Sequence, residues 1–233
     1  MLLRWSLRKR KVKIGGVAFF FSYVFSLPLA LIGLSTARQV ISTADSFTLW
    51  LLLAGLLLGW WFGYTLLRGQ ISVLIHEYKH ALLALLVGNK WKKLKLKGMS
   101  GSFQYSYTQD TAEYNAFISL APYFLPVITF IGLLLYPILH HANTEGALLF
   151  LAAIHGTELY LQLKDATPIQ TDLTGIKGGY FVALGYIFAA NACITSLLIL
   201  WLVGGNDGLQ IFGQELYQCG LLVVATVRAI FIP

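Results

Sequence analysis

The chain has 233 residues, of which 57% are hydrophobic and 12% are charged, and its mean hydropathy is +0.70. This composition excludes an ordinary soluble domain and predicts an all-α integral membrane protein that crosses the bilayer several times. The formal net charge is +7, but the basic residues cluster at the ends of apolar segments, where they would meet lipid headgroups. We therefore reject nucleic-acid binding and expect the lipid bilayer to surround the chain.

Two apolar segments come first along the chain. A run rich in Arg and Lys, residues 4–13, leads into the apolar stretch 15–35. This stretch is longer than the apolar region of a cleavable signal peptide, so we expect an uncleaved first helix. A second span is predicted from about Phe47 to Leu67, with Trp60 and Trp61 as anchors at the membrane interface.

The third apolar segment, residues 71–88, contains His76, Glu77 and His80, which form an HExxH motif. Residues four apart share one face of a helix, so the two imidazoles can point at one metal ion. Glu77 lies about 100° around the helix from His76, where it can reach a water molecule at the metal without binding the metal. The alternative is three chance polar residues in a core helix. Because ionisable groups in apolar helices are costly and usually functional, we favour the metal site.

A β-hairpin is predicted immediately after this helix, over residues 91–107. Apolar and polar residues alternate over 91–97, glycine and serine interrupt the pattern at 98–101, and the alternation resumes over 103–107. Alternation on both sides of a turn favours a membrane-associated hairpin over a solvated basic loop.

Three further spans are predicted, at about 114–138, 146–163 and 178–203. The first of them contains Pro122, Pro126 and Pro137, so we expect it to be kinked or partly re-entrant. The total is about six transmembrane helices in a single domain, residues 1–233. The apolar tail 209–233 is left unassigned, because Glu215 and Arg228 interrupt it.

Two histidines leave a zinc site incomplete, because a catalytic site normally has three protein ligands and one open position for water. The candidates for the third ligand are Asp165, Asp172 and Glu158, and each could instead be a loop charge or a hydrogen-bonded polar group. Two predicted spans separate the HExxH helix from the polar loop 164–175. Both aspartates therefore lie on the same side of the membrane as the end of that helix.

In their order along the chain, these motifs resemble the site-2 proteases, a family of intramembrane zinc metalloproteases. In that family, an HExxH helix is followed by a membrane-associated β-loop, a helix with a small residue before proline, and a later helix with an aspartate ligand. The corresponding pieces here are HEYKH at 76–80, the hairpin at 91–107, LAPY at 120–123 and TDLTG at 171–175. The resemblance covers about residues 70–200, with a protease-like core of about 70–203.

The resemblance implies a zinc metalloendopeptidase of the cell membrane that hydrolyses peptide bonds in or near transmembrane segments of a membrane-protein or peptide substrate. It implies one Zn²⁺ per chain held by His76, His80 and Asp172, with Glu77 as the general base. The chain lacks the family's usual Leu-Asp-Gly or Asn-Pro-Asp-Gly sequence at the third ligand. Asp165 is therefore kept as the reserve.

Two other polar residues need an explanation. Lys79 is expected to point away from the metal or to pair with an anion, since a nearby cation would weaken metal binding. His155 is either a hydrogen-bond donor behind a ligand, a substrate contact or a satisfied core histidine.

Two other functions remain open. One is a non-enzymatic metal-binding scaffold or transporter that uses the same histidine pair. The other is a membrane metalloprotease of another type, with Glu158 as the third ligand.

Overall fold

The computed structural model describes residues 13–98 and 100–231, which are mainly helical and include one two-stranded antiparallel sheet. The elements follow one another as α1 (Val17–Thr43), α2 (Ser46–Leu66), α3 (Gln70–Leu86), β1 (Lys90–Lys97), β2 (Ser100–Ser106), α4 (Asn115–Phe124), α5 (Val127–Ala142), α6 (Thr144–Leu163), α7 (Thr171–Thr174) and α8 (Tyr180–Phe231). A 3₁₀ helix, Asp110–Tyr114, precedes α4. The described residues do not include most of the N-terminal basic run or one residue of the predicted turn. These residues are Arg4, Arg8, Lys9, Arg10, Lys11 and Met99.

Four of these helices, α1, α2, α6 and α8, are long and apolar enough to cross a membrane. The segments Asp110–Phe124 and Val127–Ala142 would form a fifth span if they are taken together. The HExxH helix α3 has 17 residues, fewer than the roughly 20 that a span usually needs. The described residues thus belong to a mainly helical membrane protein, as predicted, but the count of about six spans is not confirmed.

The predicted kink in the fourth apolar segment is confirmed, and it lies between α4 and α5. The two helices are bent by 63° relative to each other. Proline disfavours a helical conformation in the residue before it, and Leu125, which precedes Pro126, is extended with ψ of 114°. The other two prolines of the segment, Pro122 and Pro137, lie inside α4 and α5.

The hairpin is also present, and it pairs from Lys90 with Ser106 to Lys97 with Ser100, with one irregularity after Trp91. Along β2 the side chains alternate between exposed and half-buried positions, so the strand has an inner face. This inner face contains Gly101 and packs against α3. The hairpin therefore covers one side of the HExxH helix.

Close packing of α2 against α6 depends on glycines four residues apart on α2. A Cβ atom at Gly59 would collide with the backbone of Ala153, and one at Gly55 would lie 2.6 Å from the Cβ of Ala152. The Thr157 hydroxyl donates a hydrogen bond of 2.9 Å to the Gly59 carbonyl. Small residues at this spacing let membrane helices approach closely, and here they fix α6 in the bundle.

The first part of α8 packs against α1, and a break at Gly205 separates it from the second part. Gly205 has φ of 57°, a left-handed conformation that glycine adopts without a Cβ clash. The tail that the sequence left unassigned is helical as far as Phe231. Its side chains from 213 to 229 are exposed.

Candidate metal centre

Three predicted ligands come together in the structure although they lie on two separate elements. His76 and His80 are on α3, Asp172 is on α7, and one ligand atom from each lies within 4.8 Å of the others. The Asp172 Oδ2 atom is 3.5 Å from His76 Nε2 and 3.4 Å from His80 Nε2. Tetrahedral zinc with bonds of about 2.0–2.1 Å has ligand atoms about 3.3–3.4 Å apart. The donor set and its spacing therefore fit one zinc ion.

Asp172 is held in this place from both sides of its short helix. The Ser119 hydroxyl on α4 donates a hydrogen bond of 3.0 Å to the Asp172 carbonyl. The next residue, Leu173, is completely buried in the main hydrophobic cluster. Further on, the Gly175 carbonyl accepts a bond of 2.9 Å from the backbone N–H of Ile14. The loop with the carboxylate is thus fixed to α4, to the core and to the segment before α1.

The Asp172 carboxyl group experiences opposing effects on its pKa. Burial raises the pKa of Asp172. Hydrogen bonds from His76 and His80 and the charges of these two residues lower it by more, so the net shift of the pKa is downward. The group is therefore a carboxylate at neutral pH. A zinc ligand needs that ionised form.

A backbone carbonyl orients the second histidine. The Nδ1 atom of His80 lies 2.6 Å from the Ile118 carbonyl oxygen. A carbonyl can only accept a hydrogen bond, so Nδ1 carries a proton, and Nε2 is the nitrogen that faces Asp172 and that in the neutral ring would be free for a metal. This is the tautomer that a metal ligand requires. Nothing in the sequence points to the role of Ile118, because a carbonyl is present at every residue.

Asp165, the reserve ligand, lies behind His76. Its Oδ2 atom is 4.0 Å from His76 Nδ1 and 3.5 Å from Lys164 Nζ. The cluster-facing nitrogen of His76 is the other one, Nε2, which points towards Asp172. The structure thus places Asp165 near the site and Asp172 in it.

Glu77 lies beside the cluster without joining it. Its side chain is buried under β2, and a Cβ atom at Gly101 would lie 2.5 Å from Glu77 Cγ and 2.6 Å from Glu77 Oε1. Glu77, His76 and Asp172 all line one cavity of about 510 Å³, together with residues of β2. The sequence pattern predicts Gly101 as a turn residue, whereas the structure places it in β2, where it makes room for Glu77.

A hydrogen bond joins the hairpin to α4. The Tyr105 hydroxyl donates to the Asn115 side-chain oxygen at 3.0 Å. Burial, followed by the charges of Tyr107 and Asp172, raises the pKa of Tyr105 to about 12. The phenol therefore remains protonated and keeps this bond throughout the neutral range.

Glu158 is placed away from the metal cluster. Its carboxylate pairs with Lys79 and accepts hydrogen bonds from the backbone N–H groups of Ile128 and Thr129. Lys79 accordingly points away from the cluster and has an anionic partner, as metal binding by its neighbours requires.

His155 has a partner at each ring nitrogen. Its Nδ1 atom is 3.1 Å from the Thr129 hydroxyl and its Nε2 atom is 3.0 Å from the Thr195 hydroxyl. Of the three roles considered for it, this arrangement agrees with a satisfied core histidine.

Comparison of the chain with protein-family models, with curated proteins and with solved structures finds no match. The resemblance to the site-2 proteases therefore rests on the motifs and their order alone.

Proposed function

We propose that this chain is a zinc-dependent metalloendopeptidase of the cell membrane that resembles the site-2 proteases. Its substrate would be a peptide bond in or near a transmembrane segment of another protein. The observation that carries the proposal is the convergence of His76, His80 and Asp172 on the cavity that Glu77 also lines. Three ligands leave a fourth position open, which is typical of catalytic rather than structural zinc.

The residues of the proposed site have two roles, metal binding and proton transfer. His76, His80 and Asp172 would hold the ion, which supplies a Lewis acid that acidifies a water molecule and polarises the scissile carbonyl. Glu77 accepts the proton of the attacking water at its carboxylate and donates it to the leaving amine. The Glu77 side chain is buried beneath β2, next to the cavity. Its carboxylate therefore lies beside the three candidate ligands without being one of them.

The hairpin offers a way to bind an extended substrate. A helical substrate hides its amides, so it must unwind before its peptide bond can be attacked, and the freed backbone groups then need partners. Residues of β2 line the cavity beside Glu77. An unwound segment that pairs with β2 would satisfy its own backbone and pass next to the metal centre.

The contacts of Glu158 weigh against the protease type that uses it as a ligand. To reach a metal, its carboxylate would have to leave Lys79 and the two N–H groups of α5. A buried cation would then lose its partner, at a cost of several kcal/mol.

Glu77→Gln separates an enzyme from a metal-binding scaffold or transporter. The amide is nearly isosteric with the carboxylate and the ligands are unchanged, so the variant should retain zinc. It should lose about 10²–10⁴-fold in cleavage rate, because general-base catalysis is removed. Zinc content and cleavage of a candidate membrane substrate would be measured in reconstituted vesicles.

The matched control is Glu145→Gln, which changes an exposed glutamate in the first turn of α6. It should retain both zinc and activity. Near-normal cleavage by Glu77→Gln would overturn the proposed mechanism.

A further inference from the structure

A buried ion pair lies at the break between α4 and α5, outside the metal cluster. The side chains of Lys79 and Glu158 are 2% and 0% exposed. Burial of two charges is costly unless their geometry and additional hydrogen bonds compensate for lost solvation. The surroundings of the pair therefore indicate what it does.

Each charge of the pair meets the helix end that it complements. Lys79 Nζ lies 3.4 Å from the carbonyl oxygen of Pro122, in the last turn of α4. Glu158 accepts from the N–H groups of Ile128 and Thr129, in the first turn of α5. Helix C-termini carry partial negative charge and N-termini partial positive charge, so both contacts are favourable. The N-cap residue of α5, Pro126, makes no capping hydrogen bond with its side chain, and Glu158 supplies the cap from α6.

The helix end held by Lys79 belongs to the element that supports the metal ligands. The Ile118 carbonyl of α4 orients His80, and the Ser119 hydroxyl of α4 holds the backbone of Asp172. Lys79 itself is next to His80 on α3. A shift of α4 relative to α3 would therefore move the Ile118 carbonyl and the Ser119 hydroxyl at the same time.

From these contacts we infer that Lys79 and Glu158 are positioning residues of the metal centre: Lys79, held by its ion pair with Glu158 of α6, joins α3 to the end of α4 and so keeps His80 and Asp172 at ligand spacing. The pair does not bind the metal. This inference rests on the metal centre of the proposed function, but it does not depend on the reaction or on the substrate.

A purely structural role for the pair makes a different prediction. A buried pair can often be replaced by neutral residues without loss of stability, whereas removal of one partner leaves an unpaired charge. The double variant Lys79→Met/Glu158→Gln removes both charges, and its glutamine oxygen can still accept from α5. A structural role predicts that this variant regains both stability and zinc affinity. A positioning role predicts recovery of stability alone.

The experiment uses the full chain in phospholipid nanodiscs. Zinc affinity is measured by competition with a chromophoric chelator, ligand geometry by the absorption spectrum of the Co²⁺-substituted protein, and stability by thermal unfolding. Glu158→Gln and the double variant should bind zinc about 10–100-fold more weakly than the wild type, as is typical when partners behind metal ligands are lost. Their Co²⁺ bands should shift, and the double variant should unfold near the wild-type temperature. Glu145→Gln on the same helix is the matched control and should match the wild type in all three measurements.

Two results would overturn the inference, the first without touching the proposed function and the second together with the assignment of Asp172 as the third ligand. One is wild-type zinc affinity with an unchanged Co²⁺ spectrum in the folded double variant. If Glu158→Gln does not fold, the double variant alone provides the test. The other is a Co²⁺ spectrum that lacks one ligand in Glu158→Gln while Asp172→Ala keeps its zinc, because Glu158 would then be a ligand. A wild-type chain that binds no zinc would instead overturn the proposed function, and the inference with it.

Discussion

At the scale of single residues, the assignment of the third ligand depends on the position of one carboxylate. Asp172 Oδ2 is within 3.5 Å of a nitrogen of each histidine, whereas Asp165 is near only His76, at 4.0 Å. Asp172→Ala should therefore lose zinc and cleavage, because two imidazoles alone hold the ion weakly. Asp165→Ala should retain zinc, with at most a small change in affinity. Zinc analysis of both purified variants checks this, and the reverse pattern would make the assignment wrong.

A second prediction at this scale concerns Gly101, which packs on Glu77. A Cβ atom there would lie 2.5 Å from Glu77 Cγ, and the flexible glutamate side chain is the group that can move away. Gly101→Ala should therefore keep zinc but lower the cleavage rate by up to about 100-fold, because small displacements of a catalytic group are costly. The exposed Gln104 further along β2 provides the control, Gln104→Ala, which should behave like the wild type. Equal rates in both variants would contradict the close packing described above.

At the scale of elements, the hairpin is the part of the fold that we connect with substrate binding. If an unwound substrate pairs with the edge of β2, a proline in that strand should impair cleavage, because it removes a backbone donor and disfavours strand pairing. Tyr105→Pro makes this change. It also removes the hydroxyl that bonds to Asn115, so Tyr105→Phe is the matched control. Unchanged turnover by a folded, zinc-loaded Tyr105→Pro variant would count against substrate pairing.

At the scale of the whole molecule, a bound ion would join α3 to α7, two elements that lie far apart in the chain. A ligand that binds only the folded state stabilises it, by about 2.7 kcal/mol at 100 times its dissociation constant. Removal of zinc with a chelator should therefore lower the unfolding temperature of the wild-type protein. Asp172→Ala should unfold at one temperature with or without chelator. If the wild type showed no shift in thermal unfolding, the metal would not be linking these elements.

Much of the fold follows from properties of consecutive residues. Apolar composition predicts membrane helices, alternation predicts the hairpin, and proline at 126 predicts the kink, because each depends on local covalent geometry and on contact with lipid or water. The spacing of His76 and His80 likewise fixes their common helix face. The number of spans was harder to predict, because α3 is apolar but, with 17 residues, is shorter than a helix that usually crosses a membrane. The glycines four residues apart on α2 are a sequence signal for close helix packing that the predictions above leave out.

Only the tertiary structure decided which groups meet at the site. The residues alone left Asp165, Asp172 and Glu158 as candidates, and the preference for Asp172 came from the resemblance; the fold separates the three by placing Asp172 in the cluster and Glu158 beside Lys79. The contacts involved join residues far apart in the chain, 38 positions for His80 with Ile118 and 79 for Lys79 with Glu158. Such contacts depend on how whole helices pack, and local periodicity carries no information about that packing. The sequence by itself therefore determined the membrane class and the histidine pair, whereas the tertiary structure decided which carboxylate lies beside the two histidines, which groups hold it there and which anion pairs with the buried lysine.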